Sequence, residues 1–358
     1  MTGKLSSGEW RSVAAMAGAV VALHVIGFSI LVLLVAPHHY HLAASGGFTI
    51  GLGLTAYVLG LRHALDADHI TAIDNTTRKL MAERKRPVSV GFWFSLGHST
   101  IVFALSFLFA IGIRSLGGSV QNQGSSLHSV TGWIGTSVSG AFLYIIAAVN
   151  VAILVGIIKL AREGHAEDEL ERRLATRGLI NRVLGRFTRA VGEPWHMYPI
   201  GLLFGLGFDT ASEVALLFLA AGAAGSGLPF FAILCLPILF AAGMSLLDTI
   251  DGTFMNFAYG WSFSRPARKL YYNITITGLS AVIALVVGTV EVASLVGGHL
   301  ASHGSFWRWV AGIDLSKLGI VIVGLFVATW ALALAIWRFA HIEERWASRL
   351  RDSGAVAP

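Results

Sequence analysis

Long apolar runs separated by shorter polar connections dominate the chain. Eight runs can be counted, each near or above the ~20 residues that an α-helix needs to cross the hydrocarbon core of a bilayer. They cover residues 13–36, 48–75, 88–116, 130–160, 197–222, 228–259, 272–300 and 318–340. The runs are continuous rather than alternating in segments of about ten residues, which favours helices over a strand barrel. The pattern therefore predicts an all-α, polytopic membrane protein with eight transmembrane helices.

The eight runs are expected to form a single transmembrane domain over residues 1–358. A polar connection at about 161–195 divides it into a first half, about 13–160, and a second half, about 197–340. The first run is too long for the core of a signal peptide and lacks a clear small-residue cleavage site. We therefore expect it to remain as a helix.

Composition narrows the class further. Of 358 residues, 55% are apolar and 13% charged, against roughly 25% charged in a soluble domain, and the mean hydropathy is +0.69. The net charge of +6 is explained by basic cytoplasmic loops rather than by nucleic acid, for which no motif is present. The single cysteine, Cys235, excludes an intrachain disulfide and a thiolate-rich metal site. There is no P-loop sequence, and no permanent cofactor is expected.

The basic residues follow an alternating pattern along the connections. Most of the 26 Lys and Arg residues lie in the two tails and in the second, fourth and sixth connections, whereas the others hold only Arg114, Arg308 and Lys317. Loops rich in Lys and Arg stay in the cytoplasm. The sequence thus predicts that both termini are cytoplasmic and that the protein is a multi-pass protein of the cytoplasmic (inner) membrane.

Ionisable residues inside the runs are concentrated in four segments: "RHALDADHI", "SLGHSTIV", "LGFDTASEV" and "GMSLLDTIDG". Charges are costly within a bilayer, so they usually face a bundle interior and mark an ion pathway. The candidate metal-ligating residues are His63, Asp66, Asp68, His69, His98, Asp209, Glu213, Asp248 and Asp251. Imidazole and carboxylate without thiolate suit borderline divalent metals such as Ni²⁺, Co²⁺ and Zn²⁺.

The spacing in the first segment restricts how its residues share an ion. In a regular helix Asp66 is an i,i+3 neighbour of both His63 and His69, so either pair can chelate. The two histidines are separated by about 9 Å along such a helix. Either the helix is broken here, which upstream glycines such as Gly60 favour, or the metal passes from one pair to the other. Asp68 points to the opposite side of a regular helix.

The segments also occur in matching places in the two halves. The second and fifth runs cross the membrane in opposite directions in the predicted topology, and each is followed by another run that contains a polar segment. In the fifth and sixth, Asp209 with Glu213 and Asp248 with Asp251 share a helix face. This arrangement predicts an inverted repeat of helices 2–3 and 5–6, with the site between the halves.

The four segments resemble, in order and in helix position, the signature motifs of the nickel/cobalt transporter (NiCoT) family of secondary permeases. The first contains an H-x4-D-H core as His63, Asp68 and His69. The differences are mild, with Ile101 where valine is common and Ser212 where threonine is common. The resemblance covers nearly the whole chain and implies eight helices. It also implies a role in selectivity and transport for His63, Asp66, Asp68 and His69, with His98 beside them.

The resulting hypothesis is uptake of Ni²⁺, Co²⁺ or both across the cytoplasmic membrane by secondary transport, with no enzymatic activity. The expected partners are the metal ion and the lipid bilayer, with a homo-oligomer left open. One alternative is an efflux permease for the same metals, although the fourth connection lacks the His-rich stretch common in exporters, with only His165 and His196. Another is an intramembrane zinc metalloenzyme, although no H-E-x-x-H motif is present.

Overall fold

The computed structural model describes residues 7–42, 46–47, 50–82, 85, 87–111, 126–163, 191–206, 211–226, 228–262, 266–299, 305, 309, 313 and 315–339. Within them the chain forms ten α-helices and one two-residue antiparallel ladder, His41–Leu42 with Gly46–Gly47. The helices are α1 Ser7–Ser29, α2 Ile50–His63, α3 Ala67–Ala82, α4 Val90–Ala110, α5 Ser126–Glu163, α6 Met197–Phe204, α7 Ala211–Gly225, α8 Phe230–Ser262, α9 Pro266–His299 and α10 Leu315–Phe339. The predicted all-α class is confirmed.

Five helical segments among the described residues are long and apolar enough to cross a membrane. They are Ser7–His38, Val90–Ala110, Trp133–Ala152, Phe230–Ala258 and Thr277–Ser294. These segments coincide with the first, third, fourth, sixth and seventh apolar runs of the sequence. The chain is therefore a multi-pass membrane protein.

The second, fifth and eighth apolar runs are not among these five long segments. The second run is divided into α2 and α3, and the fifth into α6 and α7, so that each piece is shorter than the ~20 residues of a full span. The eighth run lies in α10, a helix of 25 residues. The two divided runs both contain a predicted polar motif at the division.

Helix α1 continues without a break into less regular backbone. A π-helical segment, Ile30–Val35, and a 3-10 turn, Ala36–His38, follow it directly. Leu31 and Val35 on the π-helical segment are fully buried. The side chain of Leu31 fills the space beside Gly53, where a Cβ atom would overlap it, so this segment is packed tightly against α2.

Helix α3 is buried along nearly its whole length. Residues 67–80 are all buried, because α4, α5, α8, α9 and α10 pack around the helix. Because the second apolar run ends at residue 75, the sequence places Arg78 and Lys79 in the second connection, whereas in the structure both are helical and 5% exposed. They are held by polar contacts instead: Arg78 donates to Asn75 Oδ1 at 3.0 Å, and Lys79 donates to the carbonyl of Val191 at 2.6 Å.

The 191–196 segment packs beside the end of α3. Lys85 donates to the carbonyl of Gly192 and, at 2.8 Å, to the carboxylate of Glu193. This hydrogen bond, followed by the Lys85 charge, lowers the pKa of Glu193 from its ordinary value. Both side chains are substantially exposed, so the ion pair contributes little to stability. The side-chain amines of Lys79 and Lys85 thus bind backbone carbonyls of this segment, and Val191 also packs in an apolar cluster with Leu80.

Glycines allow two pairs of helices to approach closely. Between α2 and α8, a Cβ atom on Gly60 would overlap the carbonyl of Phe240, and one on Gly243 would lie 2.5 Å from the carbonyl of Tyr57. Between α4 and α6, a Cβ atom would likewise overlap a carbonyl of the facing helix, that of Tyr198 for Gly97 and that of Phe94 for Gly201. Small residues permit such backbone contact in membrane bundles.

Two apolar clusters occupy opposite ends of the bundle around these helix pairs. The α1 cluster includes Leu31, Val35, Phe109, Leu216, Leu236 and Phe240. The α3 cluster consists of Ala72, Ile73, Leu80, Val90, Phe94, Val191, Met197 and Phe204. The α1 cluster contains residues from the C-terminal half of α4, and the α3 cluster contains residues from its N-terminal half. The middle of α4 therefore lies between the two clusters.

Candidate metal centre

The break in the second run brings His63 and His69 together. Helix α2 ends at His63, where the chain makes a tight turn in which Leu65 N–H bonds Arg62 O at 3.1 Å and Asp66 N–H bonds His63 O at 2.9 Å. Helix α3 then begins at Ala67. The two imidazole centroids are consequently 4.6 Å apart, about half of the ~9 Å axial separation in a regular helix. Of the two alternatives left by the spacing, the broken helix is the one observed.

A glycine of α10 supports this turn from outside. A Cβ atom on Gly319 would overlap the carbonyl oxygen of Leu65 and lie 3.1 Å from the amide nitrogen of Ala67. The backbone of α10 can therefore approach the turn only because residue 319 has no side chain. Gly319 was not singled out from the sequence, where it is one of 41 glycines with no polar motif around it.

A third histidine completes the cluster. His98, in the middle of α4, has its ring centroid 4.7 Å from that of His63 and 4.8 Å from that of His69. One nitrogen from each of the three rings lies within 4.8 Å of the others, and each residue is at most 2% exposed. Three imidazoles at such distances can converge on one small cation after modest adjustment.

The nitrogens of His63 and His98 are already in contact. Their Nε2 atoms are 2.8 Å apart, a distance at which one nitrogen must donate a proton and the other accept it. A divalent cation replaces such a proton when it binds two neutral imidazoles. His63 and His98 therefore already lie side by side as two potential metal ligands.

Carboxylates orient two of the rings. His63 Nδ1 lies 2.9 Å from Asp66 Oδ2, and His69 Nδ1 lies 3.4 Å from Asp248 Oδ2. Both aspartates are fully buried. A proton shared between Nδ1 and a carboxylate fixes the tautomer of the ring and leaves the Nε2 lone pair for a metal. Among the described residues, Nε2 of His69 has no hydrogen-bond partner.

Two further predicted residues lie near the cluster but outside it. Asp68 is buried, with 9% exposure, and immediately precedes His69 on α3. Asp251 is one turn after Asp248 on α8, and its Oδ2 atom is buried without a hydrogen-bond partner in the described part of the chain. Neither belongs to the group of atoms that could hold one ion with the three histidines.

The acidic residues of the fifth run remain predictions. Asp209 lies outside the described residues, and Glu213 lies on α7 with its side chain outside them. The backbone on each side is helical, with α6 ending at Phe204 and α7 beginning at Ala211. Gly205 and Leu206, the described residues that follow α6, form a turn.

A buried polar network continues from the cluster along α3. Ser280 donates to Asp74 Oδ2 at 2.7 Å. Asn75 Oδ1 accepts hydrogen bonds from Arg78 and from Asn150 of α5. Sequence reasoning did not assign these residues to the site region. The unusual density of polar residues just after "DADHI" was the available signal.

The described helices form a multi-pass membrane protein, and a buried imidazole–carboxylate cluster that could hold a metal ion lies at its broken helix. The model of the NicO family, described as "High-affinity nickel-transport protein", matches residues 49–336. The chain belongs to this family. The resemblance to nickel/cobalt transporters is confirmed, and the family consists of transporters rather than enzymes.

Curated relatives agree with this membership. The chain is 56% identical to "Nickel transporter NicT" of Mycobacterium tuberculosis over 350 residues, 97% of this chain and 94% of the relative. It is 46% identical to "Nickel transporter NixA" of Staphylococcus aureus, over 91% of this chain and 94% of the relative. It is 43% identical to "Cobalt transport protein NhlF" of Rhodococcus rhodochrous, over 94% of each chain. No solved structure matches the chain.

Proposed function

We propose that this protein takes up Ni²⁺ or Co²⁺ across the cytoplasmic membrane as a secondary transporter and binds the ion at His63, His69 and His98. The observation that carries the proposal is the convergence of three buried imidazole nitrogens within 4.8 Å of one another. Family membership and the names of the relatives supply the substrate class, since nickel and cobalt are the metals they mention.

The ligand chemistry agrees with these metals. Neutral imidazole binds Ni²⁺, Co²⁺ and Zn²⁺ well, whereas Mg²⁺ and Ca²⁺ prefer oxygen ligands. Asp66 and Asp248 hold the rings of His63 and His69 and partly balance the charge of the ion. An ion that enters exchanges water for imidazole, so affinity depends on the geometry that these carboxylates fix.

The remaining predicted residues fit supporting roles. Asp68 and Asp251 flank the cluster on α3 and α8 and place carboxyl groups in the surrounding wall. Asp209 and Glu213 supply the acidic wall from the fifth run. We do not propose any of these four as a direct ligand of the ion, because the three histidines already bring together the nitrogen donors that these metals favour.

Two broken helices support the inverted repeat of helices 2–3 and 5–6. In such a repeat helix 2 corresponds to helix 5, and helix 3 corresponds to helix 6. A contact between helices 2 and 6 therefore has its counterpart in a contact between helices 5 and 3. Both pairs pack through glycines: α2 with α8 through Gly60 and Gly243, and α6 with α4 through Gly201 and Gly97. The same exchange relates the break after His63 to the break after Phe204.

The eight-helix topology follows from counting each broken run as one span. The α2–α3 and α6–α7 units then join the five long spans, and α10 supplies the eighth. An even number returns the chain to the side on which it began, so both termini lie on the side of the basic loops, the cytoplasm.

Transport measurements test the proposal. Radioactive nickel uptake into cells expressing the protein should exceed that of control cells, and Co²⁺ should compete better than Mn²⁺. Replacing His63, His69 or His98 by alanine should abolish uptake. His24→Ala is the matched control, because His24 is a partly buried membrane histidine that contacts Tyr57 rather than the cluster. Loss of cell nickel on expression would instead establish export, and normal uptake by the cluster variants would refute the site.

Energy coupling is tested separately in proteoliposomes. A proton and a metal compete for the same imidazole lone pairs, so exchange of one for the other is a direct route to proton-coupled transport. Nickel uptake should then respond to an imposed pH gradient at zero membrane potential. Uptake that is indifferent to the gradient would remove proton coupling while leaving the metal site in place.

A further inference from the structure

Two phenyl rings cover the histidine cluster. The ring of Phe240 lies 5.5 Å from that of His63, and the ring of Phe94 lies 4.8 Å from that of His69, almost perpendicular to it at 86°. Both phenylalanines are fully buried. Neither ring supplies a ligand, so the chemistry of metal binding does not explain their position against two of the three ligands.

The two rings belong to different ends of the bundle. Phe240 is part of the α1 cluster, and Phe94 is part of the α3 cluster. The α3 cluster also contains Val191, whose carbonyl is bound by Lys79, so Phe94 lies towards the end with the basic connections. Each cluster therefore places one aromatic ring between its own end of the bundle and the histidines.

The backbone is irregular near Phe240. Pro237 lies three residues before it in α8 and cannot donate the helical hydrogen bond to residue 233. The π-helical segment Ile30–Val35 contributes two fully buried side chains to the same cluster. Such interruptions are common where helices move or bend for function.

A second broken helix accompanies Phe94. Its ring packs edge-on against Phe204, with centroids 5.2 Å apart and planes at 79°. Phe204 is the last residue of α6, directly before the division of the fifth run. Phe94 therefore contacts His69, from the broken second run, on one side and the end of the broken fifth run on the other.

We propose that Phe240 and Phe94 are two access-controlling residues, each closing the histidine cluster towards one face of the membrane. Phe240 closes it towards the end of the α1 cluster, opposite the basic connections, and Phe94 closes it towards the end with Lys79 and Lys85. This inference rests on the proposed metal site, to which the two rings control entry and exit.

The physical basis is exclusion of water and ions by close-packed apolar side chains. A hydrated divalent cation cannot pass through a layer with no polar partners, and a phenyl ring fills the space that it would need. With both rings in place, each cluster histidine is at most 2% exposed, which is the closed arrangement. Movement of one ring at a time would open the site to one face only.

Thiol labelling tests the proposal without metal. The background carries Cys235→Ala, which removes the native cysteine, and Ser95→Cys as a reporter. Ser95 is fully buried on α4, one turn from His98, and hydrogen-bonds Ser245 at 3.1 Å and Asp248. A charged, membrane-impermeant methanethiosulfonate is applied to oriented vesicles from either face, and the labelling rate is measured.

The expected result is directional. The background should react slowly from both faces. Phe240→Ala should accelerate labelling about tenfold or more from the face opposite the basic connections only, and Phe94→Ala from the basic face only, because each removes a buried ring that stabilises closure. Phe→Leu at either position retains more volume and should give a smaller acceleration from the same face; it replaces the alanine variant if that variant does not fold.

Matched controls separate access from general loosening. Phe109→Ala removes a buried ring from the α1 cluster, and Leu80→Ala removes a buried side chain from the α3 cluster. Acceleration from one and the same face by both test variants, no acceleration by either, or equal acceleration by the controls would overturn the proposal. Because no metal is present, the result does not depend on whether the histidines bind nickel. A failure of nickel binding to the protein without these substitutions would count against the proposed function alone.

Discussion

His63 and His98 are 35 residues apart in the chain, yet their Nε2 atoms lie 2.8 Å from each other. Only one proton fits between two nitrogens at this distance. Nδ1 of His63 is also hydrogen-bonded to Asp66. The shared proton therefore lies in a hydrogen-bonded chain formed by Asp66, His63 and His98. A cation that enters between the nitrogens must displace that proton.

Metal binding should therefore compete with protons for the imidazole nitrogens. The proton between His63 and His98 can move to Nδ1 of the same ring, so a net release is expected only from a ring that carries two protons. Nickel affinity measured by calorimetric titration of the purified protein should therefore fall as the pH is lowered, because protonated imidazole cannot bind metal. An affinity that stays the same as the cluster is titrated with acid would contradict binding through these nitrogens.

The carboxylates that hold the histidines should affect affinity without removing a ligand. We expect Asp66→Asn and Asp248→Asn each to weaken nickel binding by about 10- to 100-fold, as loss of a hydrogen-bond partner of a metal ligand usually does. Equilibrium dialysis with radioactive nickel measures the effect. Thr55→Ala is a control, because Thr55 is an exposed residue of α2 that bonds only its own helix backbone at Gly51. Unchanged affinity in both aspartate variants would remove their orienting role.

The support of the broken turn by α10 should be sensitive to a single methyl group. In Gly319→Ala the new Cβ atom would overlap the carbonyl of Leu65, so the turn or α10 must shift, at a cost of about 1–3 kcal/mol. We expect a lower melting temperature in detergent and reduced nickel uptake. Gly324→Ala, on the same helix with nothing within 4 Å of its new methyl group, should leave both unchanged. Equal behaviour of the two variants would contradict the close contact.

The sequence predicted much of this architecture because apolar length and polar clustering are local signals. The runs with uninterrupted hydrophobicity became the five long spans, and "RHALDADHI" with "SLGHSTIV" contained all three cluster histidines. Glycines near the first segment indicated a discontinuous helix, although the break lies at residues 64–66 rather than at Gly60 itself. Residue identity and spacing were sufficient for these features.

What the sequence could not supply depends on three-dimensional packing. The positive charges of Arg78 and Lys79 indicated a loop, but five surrounding helices and the carbonyl of Val191 make a buried position tolerable. Asp248 was one of several equivalent acids until the fold placed it beside His69. Phe94 and Phe240 are ordinary apolar residues in the sequence, and only their contacts distinguish them among 21 phenylalanines.

The polar network beyond the cluster should contribute to stability. Asn75 accepts a hydrogen bond from the buried guanidinium of Arg78 and another from Asn150. Asn75→Leu should destabilise the protein by about 1.5–3 kcal/mol, the usual cost of losing a hydrogen bond to a charged group. Asn75→Asp should be milder, because a carboxylate still accepts from Arg78. Thermal unfolding in detergent compares the two; a larger loss for aspartate than for leucine would contradict this account.

The burial of α3 has a consequence for how the protein is made. A segment with Asp68, His69, Asp74, Arg78 and Lys79 within 12 residues cannot leave the insertion machinery for lipid on its own, since each charge opposes partitioning. The helices that surround it include α8, α9 and α10, which are synthesised only later. During synthesis α3 must therefore stay in contact with water or with other protein rather than with lipid. It reaches its final position when the second half of the chain packs around it.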